Sequence, residues 1–214
     1  MLTVTQNRQL RTPDTGAIAE ENTARAAVYG LLSHLFYTPP ADELLQVIAG
    51  SSDLVVNNGS PMALPWSALT EAAGLTKGGD VREQFSQLFI STAKPPVSLY
   101  GSGYGHGPAQ GHFLAELREE LARRGFAQCR EGSDFEDHFS ALCDVMRMLI
   151  AGAEADDDSV FAEQQAFFSG FLQPWVNRFL ENLAAEAGPS SFYARVAAFA
   201  SAFFANEAEY FDIA

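Results

Sequence analysis

Residues 24–40, ARAAVYGLLSHLFYTPP, decide the fold class of this chain. Apolar side chains recur there at every third or fourth position, the spacing that predicts one apolar face of an α-helix. The predicted face consists of Ala24, Ala27, Val28, Leu31, Leu32, Leu35 and Phe36. Pro39 and Pro40 predict where this helix ends, because a proline disfavours α-helical geometry at the residue before it.

The same helical spacing recurs along the rest of the chain. It is found in residues 41–50, 65–74, 78–92, 109–125, 135–149, 160–187 and 191–210. Pro174 is expected to kink or split the helix over 160–187, because proline removes a backbone hydrogen bond. No segment alternates with the period of two that indicates a strand. The sequence therefore predicts an all-α, single-domain helical bundle of about eight or nine helices.

The domain boundaries follow from where this periodicity begins. Residues 1–20 are mostly polar and are predicted to be a flexible N-terminal tail, whereas residues 21–214 form the helical domain. With 47% hydrophobic residues, a chain of 214 residues has ample material for a core. Residues 93–108, AKPPVSLYGSGYGHGP, are predicted to be a long loop, and the rings of Tyr100 and Tyr104 indicate that it is packed.

The charge balance limits the kinds of partner. The net charge is −14, from 27 acidic against 13 basic side chains, so phosphate backbones and anionic lipid surfaces are repelled and basic partners are attracted. The first residues lack the apolar core of a secretory signal. No uninterrupted apolar run approaches the roughly 18 residues of a membrane span. We therefore expect a cytoplasmic protein that binds neither nucleic acid nor membrane.

Residues 132–146, GSDFEDHFSALCDVM, contain the most conspicuous candidate site. Asp137 and His138 stand together at the predicted start of an apolar helix, where Ser133 and Glu136 fit a capping box. From the residues alone, this pair fits a catalytic dyad, a peptide-binding site or ordinary helix capping. A dyad also needs a nucleophile or an oxyanion site, and the sequence shows no signature of either.

Other motifs give weaker signals for cofactors. The alternating glycines at 101, 103, 105 and 107 lack both the strand that precedes a dinucleotide fold and the Gly-Lys-Ser/Thr of a P-loop. His106 and His112 have no third metal ligand near them, and Cys129 and Cys143 lack the spacing of a zinc site. We therefore predict no metal, no cofactor and structural cysteines.

Several separated segments together resemble one protein family. The segments are AAVYGLLSHLFYTPP, REQFSQLFIS with the following PP and YGSGY, EDHFSALCDVMRML, FLQPWVNRFLENL and FYARVAAFASAFFANE. Their order is that of the TorD/DmsD/NarJ family of cytoplasmic chaperones, which mature molybdenum-containing oxidoreductases. The resemblance covers residues 24–210, nearly the whole chain.

The resemblance implies a non-catalytic helical protein. Such chaperones bind the twin-arginine signal peptide and the apo form of a redox enzyme, assist cofactor insertion and delay export until folding is complete. Carried over by position, the peptide-binding residues are Tyr37, Phe85, Leu88, Pro96, Asp137 and His138, with Tyr100 and Tyr104 as rim. Trp175 is expected in the core.

The expected chemistry of this groove centres on Asp137. Its carboxylate would accept a charge-assisted hydrogen bond from an arginine of the peptide, and the surrounding rings would hold the apolar part. Phe85 stands where close relatives have Trp, so the choice of client is not carried over. Two alternatives stay open: a hydrolase or nucleotide-using enzyme built on Asp137 and His138, and a stable helical subunit of a redox complex. A homodimer is also compatible with the sequence.

Overall fold

The computed structural model describes residues 15–51, 60–90, 94–105, 108–126, 136–152 and 158–212. Within these ranges there are nine α-helices, one short 3-10 helix and no strand. The α-helices are α1 (Thr15–Tyr37), α2 (Asp42–Ala49), α3 (Ala63–Leu75), α4 (Gly78–Phe89), α5 (Pro108–Arg123), α6 (Phe139–Ala151), α7 (Asp158–Phe171), α8 (Gln173–Ala187) and α9 (Phe192–Asp212). The 3-10 helix spans Gly101–Tyr104. The predicted all-α, single-domain bundle is confirmed.

Two predicted boundaries can be compared directly with the structure. α1 begins at Thr15, inside the segment predicted as a tail, and residues 1–14 lie outside the described ranges. The helix predicted over 160–187 is split at Leu172, because Pro174 lies in the first turn of α8, where a missing backbone N–H costs nothing. The predicted effect of Pro174 is confirmed.

One aromatic ring joins the main helices of the core. Phe36, near the end of α1, is fully buried, and its ring centroid lies 4.9 Å from that of Phe139 in α6 and 5.4 Å from that of Phe179 in α8. Phe89 of α4 and Tyr193 of α9 contact the same ring at 5.8 and 6.0 Å. Three of these four contacts are edge-to-face, an arrangement that adds to the free energy of burying the rings. The core therefore fixes the end of α1 against the start of α6.

The predicted apolar face of α1 is divided between two environments. Val28, Leu32, Leu35 and Phe36 are buried in the core. Ala24 and Ala27 are exposed and Leu31 is half-buried. The seven residues do share one side of the helix, but they extend over about half of its circumference at 100° per residue, so the core covers only part of this face. α1 packs chiefly on α6, whereas α2 packs on α3. Part of the apolar surface of α1 is therefore left uncovered.

A buried cluster of charged and polar side chains joins α1 to α9 and α7. Arg25 Nε lies 2.7 Å from Glu207 Oε1, and Arg25 Nη2 lies 2.9 Å from Glu207 Oε2. Tyr29 Oη donates to Glu207 at 2.9 Å, and Arg25 Nη1 donates to Gln164 at 3.1 Å. Burial alone lowers the pKa of Arg25, but the hydrogen bonds and charge of Glu207 outweigh it and the net shift is upward. Sequence analysis missed this cluster.

Replacing Glu207 by Ala is expected to lower the free energy of unfolding by about 3–5 kcal/mol, because Arg25 would then be a buried charge without its counter-ion. Urea denaturation of the purified variant measures the change. Arg118→Ala is the control, because its contact with Glu136 is on the surface and contributes about 1 kcal/mol or less. Equal losses for both variants would contradict the assignment of Glu207 as a core anchor.

Candidate functional site

The start of α6 is joined by backbone hydrogen bonds to the loop that precedes the 3-10 helix. The N–H of Phe139 donates to Leu99 O at 2.8 Å, and the N–H of Gly101 donates to Asp137 O at 3.0 Å. These two bonds form an antiparallel bridge between Tyr100 and His138. Because the ring of Phe139 is held in the core, the two residues before it have a fixed position and direction.

The carboxylate of Asp137 faces inward. The residue is 1% exposed, and its Oδ2 accepts a hydrogen bond of 2.8 Å from the N–H of Ser102. Its Oδ1 is buried and receives no hydrogen bond within the described part of the chain. The expectation that this carboxylate accepts a hydrogen bond from an arginine of the peptide does not fit this conformation, because the residue is buried. Through its bond with Ser102, Asp137 instead holds the glycine-rich turn, residues 101–105.

His138 caps α6. Its backbone is extended, and its Nδ1 accepts a hydrogen bond of 3.2 Å from the N–H of Ser140, which lies in the first turn of the helix. Its imidazole packs edge-on against the ring of Tyr100, with 5.1 Å between centroids. α6 begins at Phe139, so the capping box predicted with Glu136 was wrong, and Ser133 lies outside the described residues. Of the three interpretations of this pair, helix capping is what the geometry shows for His138.

The glycine-rich turn is tightly packed rather than shaped as a phosphate cradle. Tyr104 stacks on Trp175, with ring centroids 5.4 Å apart and an interplanar angle of 22°. Burial raises the pKa of the Tyr104 hydroxyl to about 12, so it stays protonated and donates to Ser98 O at 2.8 Å. A Cβ on Gly101 would lie 2.9 Å from the Trp175 ring. Glycine is needed here for close packing.

The eight predicted peptide-binding residues do not form one surface. Phe85 and Leu88 are buried, and the ring of Phe85 contacts those of Phe89 and Tyr193 at 5.0 and 6.1 Å. Pro96 is exposed, and Tyr100 and Tyr104 are half-buried. Tyr37, at the end of α1, is 63% exposed. The sequence could not distinguish core from surface rings because both have the same helical spacing.

Tyr37 and His138 do meet, in an open cleft of about 390 Å³ between the end of α1 and the start of α6. The hydroxyls of Ser33 and Ser140, which both line this cleft, hydrogen-bond each other at 3.2 Å. Asp144 supplies a carboxylate to the cleft lining. This side chain is half-exposed and accepts a hydrogen bond of 2.7 Å from Arg147. We call this site the Tyr37 cleft. Sequence analysis missed both serines and Asp144, since neither pattern nor motif marks them.

The other histidines and the cysteines lie in different places. His34 also lines the Tyr37 cleft, whereas His112 is exposed on α5 beside Glu116, and His106 is outside the described residues. Cys143 is buried as a free thiol with a raised pKa, as predicted for a structural cysteine. Cys129 lies outside the described residues.

Comparison with known proteins identifies the family. The sequence profile of the nitrate reductase delta subunit matches residues 24–181, which is most of the chain. The chain belongs to this family. The nitrate reductase delta family is part of the TorD/DmsD/NarJ group of redox-enzyme maturation chaperones, so the resemblance is confirmed. No curated protein matches the chain.

Family membership gives a general role and leaves the details to be proposed. The nitrate reductase delta family supports a role in the maturation of molybdenum-containing enzymes. Within the described ranges, no helix has the length and apolar character needed to cross a lipid bilayer. The bonds of Asp137 and His138 described above go to backbone N–H groups, so they give no support to a hydrolase or nucleotide-using enzyme built on this pair.

Gly101→Ala tests the packing of the turn. The added Cβ would meet Trp175 at 2.9 Å and Phe113 at 3.0 Å, so we expect a loss of about 1–3 kcal/mol in unfolding free energy, measured by urea denaturation. Gly111→Ala in α5 is the matched control, since its Cβ would enter open space. The control should be neutral or stabilise by up to about 1 kcal/mol. A neutral Gly101→Ala would show that the turn is not closely packed.

Asp137→Ala tests the bond that holds the turn. The N–H of Ser102 would lose its buried acceptor, and we expect a loss of about 1–3 kcal/mol in unfolding free energy with faster hydrogen exchange at Ser102. Asp137→Asn keeps an oxygen that can accept this bond, so its unfolding free energy should fall less than that of Asp137→Ala. Unchanged exchange at Ser102 in Asp137→Ala would rule out the carboxylate as the group that holds the turn.

Proposed function

We propose that this protein is a cytoplasmic, non-catalytic chaperone that binds the twin-arginine signal peptide and the apo form of a molybdenum-containing oxidoreductase. Binding would assist cofactor insertion and delay export until the enzyme has folded. The observation that carries the proposal is the Tyr37 cleft, where a 63%-exposed tyrosine in a member of this family borders an open cavity. Tyrosine is enriched among the residues that contribute most to binding, and at the edge of a cleft its ring offers apolar area to a partner.

The chemistry of the Tyr37 cleft suits a basic peptide. The ring of Tyr37 offers apolar area, and its hydroxyl can stay in water. Asp144 offers the cleft's carboxylate, which an arginine of the peptide could share with Arg147 or take from it. In the hydrogen bond between the hydroxyls of Ser33 and Ser140 one hydroxyl accepts, and its own proton would be available to the peptide backbone. The net charge of −14 favours encounter with such a peptide.

The buried members of the predicted set act indirectly in this proposal. Asp137 holds the glycine-rich turn, and His138 fixes the start of α6, so both position the cleft wall. Phe85 and Leu88 anchor α4 in the core. Pro96, Tyr100 and Tyr104 belong to the loop joined to α6 and are not part of the cleft lining, but Tyr100 packs on His138, which is. Asp144 therefore takes the role of arginine acceptor that the sequence suggested for Asp137.

Tyr37→Ala is expected to weaken binding of a synthetic peptide that has an Arg-Arg pair followed by an apolar run, by about tenfold. Because the side chain is mostly exposed, the variant should keep the stability of the parent protein. Isothermal titration calorimetry measures the affinity. Leu75→Ala is the matched control: this side chain on α3 is 81% exposed and lies away from the cleft lining, so binding should be unchanged.

Two outcomes would contradict the proposal. Equal affinities for the parent protein and Tyr37→Ala would remove the cleft from the binding site. Absence of any binding to the parent protein would remove the signal peptide as ligand. Co-purification with a mature redox enzyme in fixed stoichiometry would instead favour the permanent-subunit alternative.

A further inference from the structure

Arg147 already occupies the carboxylate that the proposed function assigns to an arginine of the peptide. Its Nε lies 2.7 Å from Asp144 Oδ1 and donates a hydrogen bond to it. Among the described residues, Arg147 is the one cation that pairs with Asp144. Asp144 lines the Tyr37 cleft, whereas Arg147 is absent from the lining. The protein therefore holds a guanidinium of its own at the place where the guanidinium of the peptide would bind.

The position of Arg147 follows from the spacing of side chains along α6. Ser140, Asp144 and Arg147 lie on one face of this helix, because they are separated by four and by three residues. Ser140 and Asp144 line the cleft, so Arg147 stands about one helical turn beyond its edge. Its guanidinium can leave Asp144 without removing any side chain from the cleft wall.

The stem of Arg147 packs across α1 at Gly30. A Cβ on Gly30 would lie 3.0 Å from Arg147 Cδ, which is closer than most Cβ contacts. Glycine in the interior of a helix lowers its stability relative to alanine, so a glycine within α1 requires a reason. The close approach of the arginine stem supplies that reason. The contact places Arg147 between α1 and α6, the two helices that form the cleft.

The pair between Arg147 and Asp144 is weak enough to open. The two side chains are 41% and 44% exposed, and an ion pair at this exposure is screened by water. The hydrogen bond joins one nitrogen to one oxygen, whereas a free guanidinium can make two parallel hydrogen bonds with a carboxylate. An arginine of the peptide can therefore displace Arg147, and its affinity is reduced by the free energy of the pair that it breaks.

We propose that Arg147 is an intramolecular competitor for Asp144, which keeps this carboxylate paired until an arginine of the client peptide displaces it. The inference rests on the proposed function, because it concerns the same carboxylate and the same peptide. Arg147 lowers the affinity of peptides that use Asp144 and leaves the affinity of uncharged peptides unchanged. When the peptide leaves, Arg147 returns to Asp144, so release of the client restores an ion pair within the protein.

Arg147→Met is expected to raise the affinity for a synthetic peptide that has an Arg-Arg pair followed by an apolar run. Methionine keeps an unbranched stem over Gly30 and removes the guanidinium, so Asp144 becomes free. We expect binding to the full chain to be about twofold to fivefold tighter than in the control variant below, the change that corresponds to one exposed ion pair. Isothermal titration calorimetry measures both affinities.

Arg123→Met is the matched control. Arg123 is also an exposed arginine paired with an acid three residues before it in a helix, Glu120, and neither residue lines the cleft. Both variants lose one positive charge, which by itself favours encounter with a basic peptide. The difference between them isolates the effect of freeing Asp144. Both pairs lie on the surface, so the two variants should melt at nearly the temperature of the parent.

The gain of affinity should require Asp144. In the Asp144→Asn background, Arg147→Met should raise affinity no more than Arg123→Met does, because the carboxylate for which Arg147 competes is gone. A probe whose arginines are replaced by glutamines should bind Arg147→Met and the parent equally. A gain that persists in Asp144→Asn would show that Arg147 acts only by repelling the peptide, and the inference would be overturned.

The remaining results distinguish the inference from the proposed function. If Tyr37→Ala binds the Arg-Arg probe weakly while Arg147→Met binds it no more tightly than Arg123→Met, Arg147 is no competitor and the proposed function stands. If the parent protein and Arg147→Met both fail to bind the probe, the two proposals are wrong together.

Discussion

The edge-to-face contact between Phe36 and Phe139 is the interaction on which the rest of the structure depends. It joins the end of α1 to the first residue of α6, and rings from α4, α8 and α9 surround it. A protein interior is close-packed, so a buried ring has little freedom to shift. The residues on either side of this contact, Tyr37 and His138, are therefore held at a fixed separation. The walls of the Tyr37 cleft are a direct extension of the core.

Burial of Asp137 follows from the same arrangement. Because Phe139 points into the core, its N–H and the carbonyl of Asp137 pair with the backbone of the loop at Leu99 and Gly101. The carboxylate then lies under the glycine-rich turn and accepts from Ser102. One of its oxygens is left without a hydrogen bond among the described residues, an arrangement that costs free energy. That cost is offset by the packing of Phe139 and of Tyr104 on Trp175.

The two faces of α1 have different roles. The face with Arg25, Tyr29, Leu32 and Phe36 supplies both the buried ion pair with Glu207 and the central aromatic contact. The face with Ala24, Ala27 and Leu31 is apolar without being covered. A long helix with a wide apolar stripe can therefore stabilise the fold and still offer a surface to a partner. Small side chains on the open face limit how much apolar area is left in water.

Sequence periodicity alone determined the all-helical class, the break at Pro174 and the end of α1 before the two prolines. These features depend on local spacing and on the geometry of proline, both of which are legible in one segment at a time. The family was identified by the resemblance of separated segments and their order. That resemblance also grouped Asp137 and His138 with the tyrosine loop, and the bridge between Tyr100 and His138 joins them in the structure.

Only the tertiary structure decided which of those residues face the solvent. Phe85 and Tyr37 are both rings in helical segments, yet one packs against Phe89 and Tyr193 and the other borders a cleft. The difference arises from which helices happen to cover each face, and that is a long-range property. The same reason explains why Arg25 and Glu207, far apart in sequence, could not be recognised as a buried pair. It also explains why the sequence did not predict the uncovered apolar face of α1, since covered and uncovered apolar faces have the same sequence pattern.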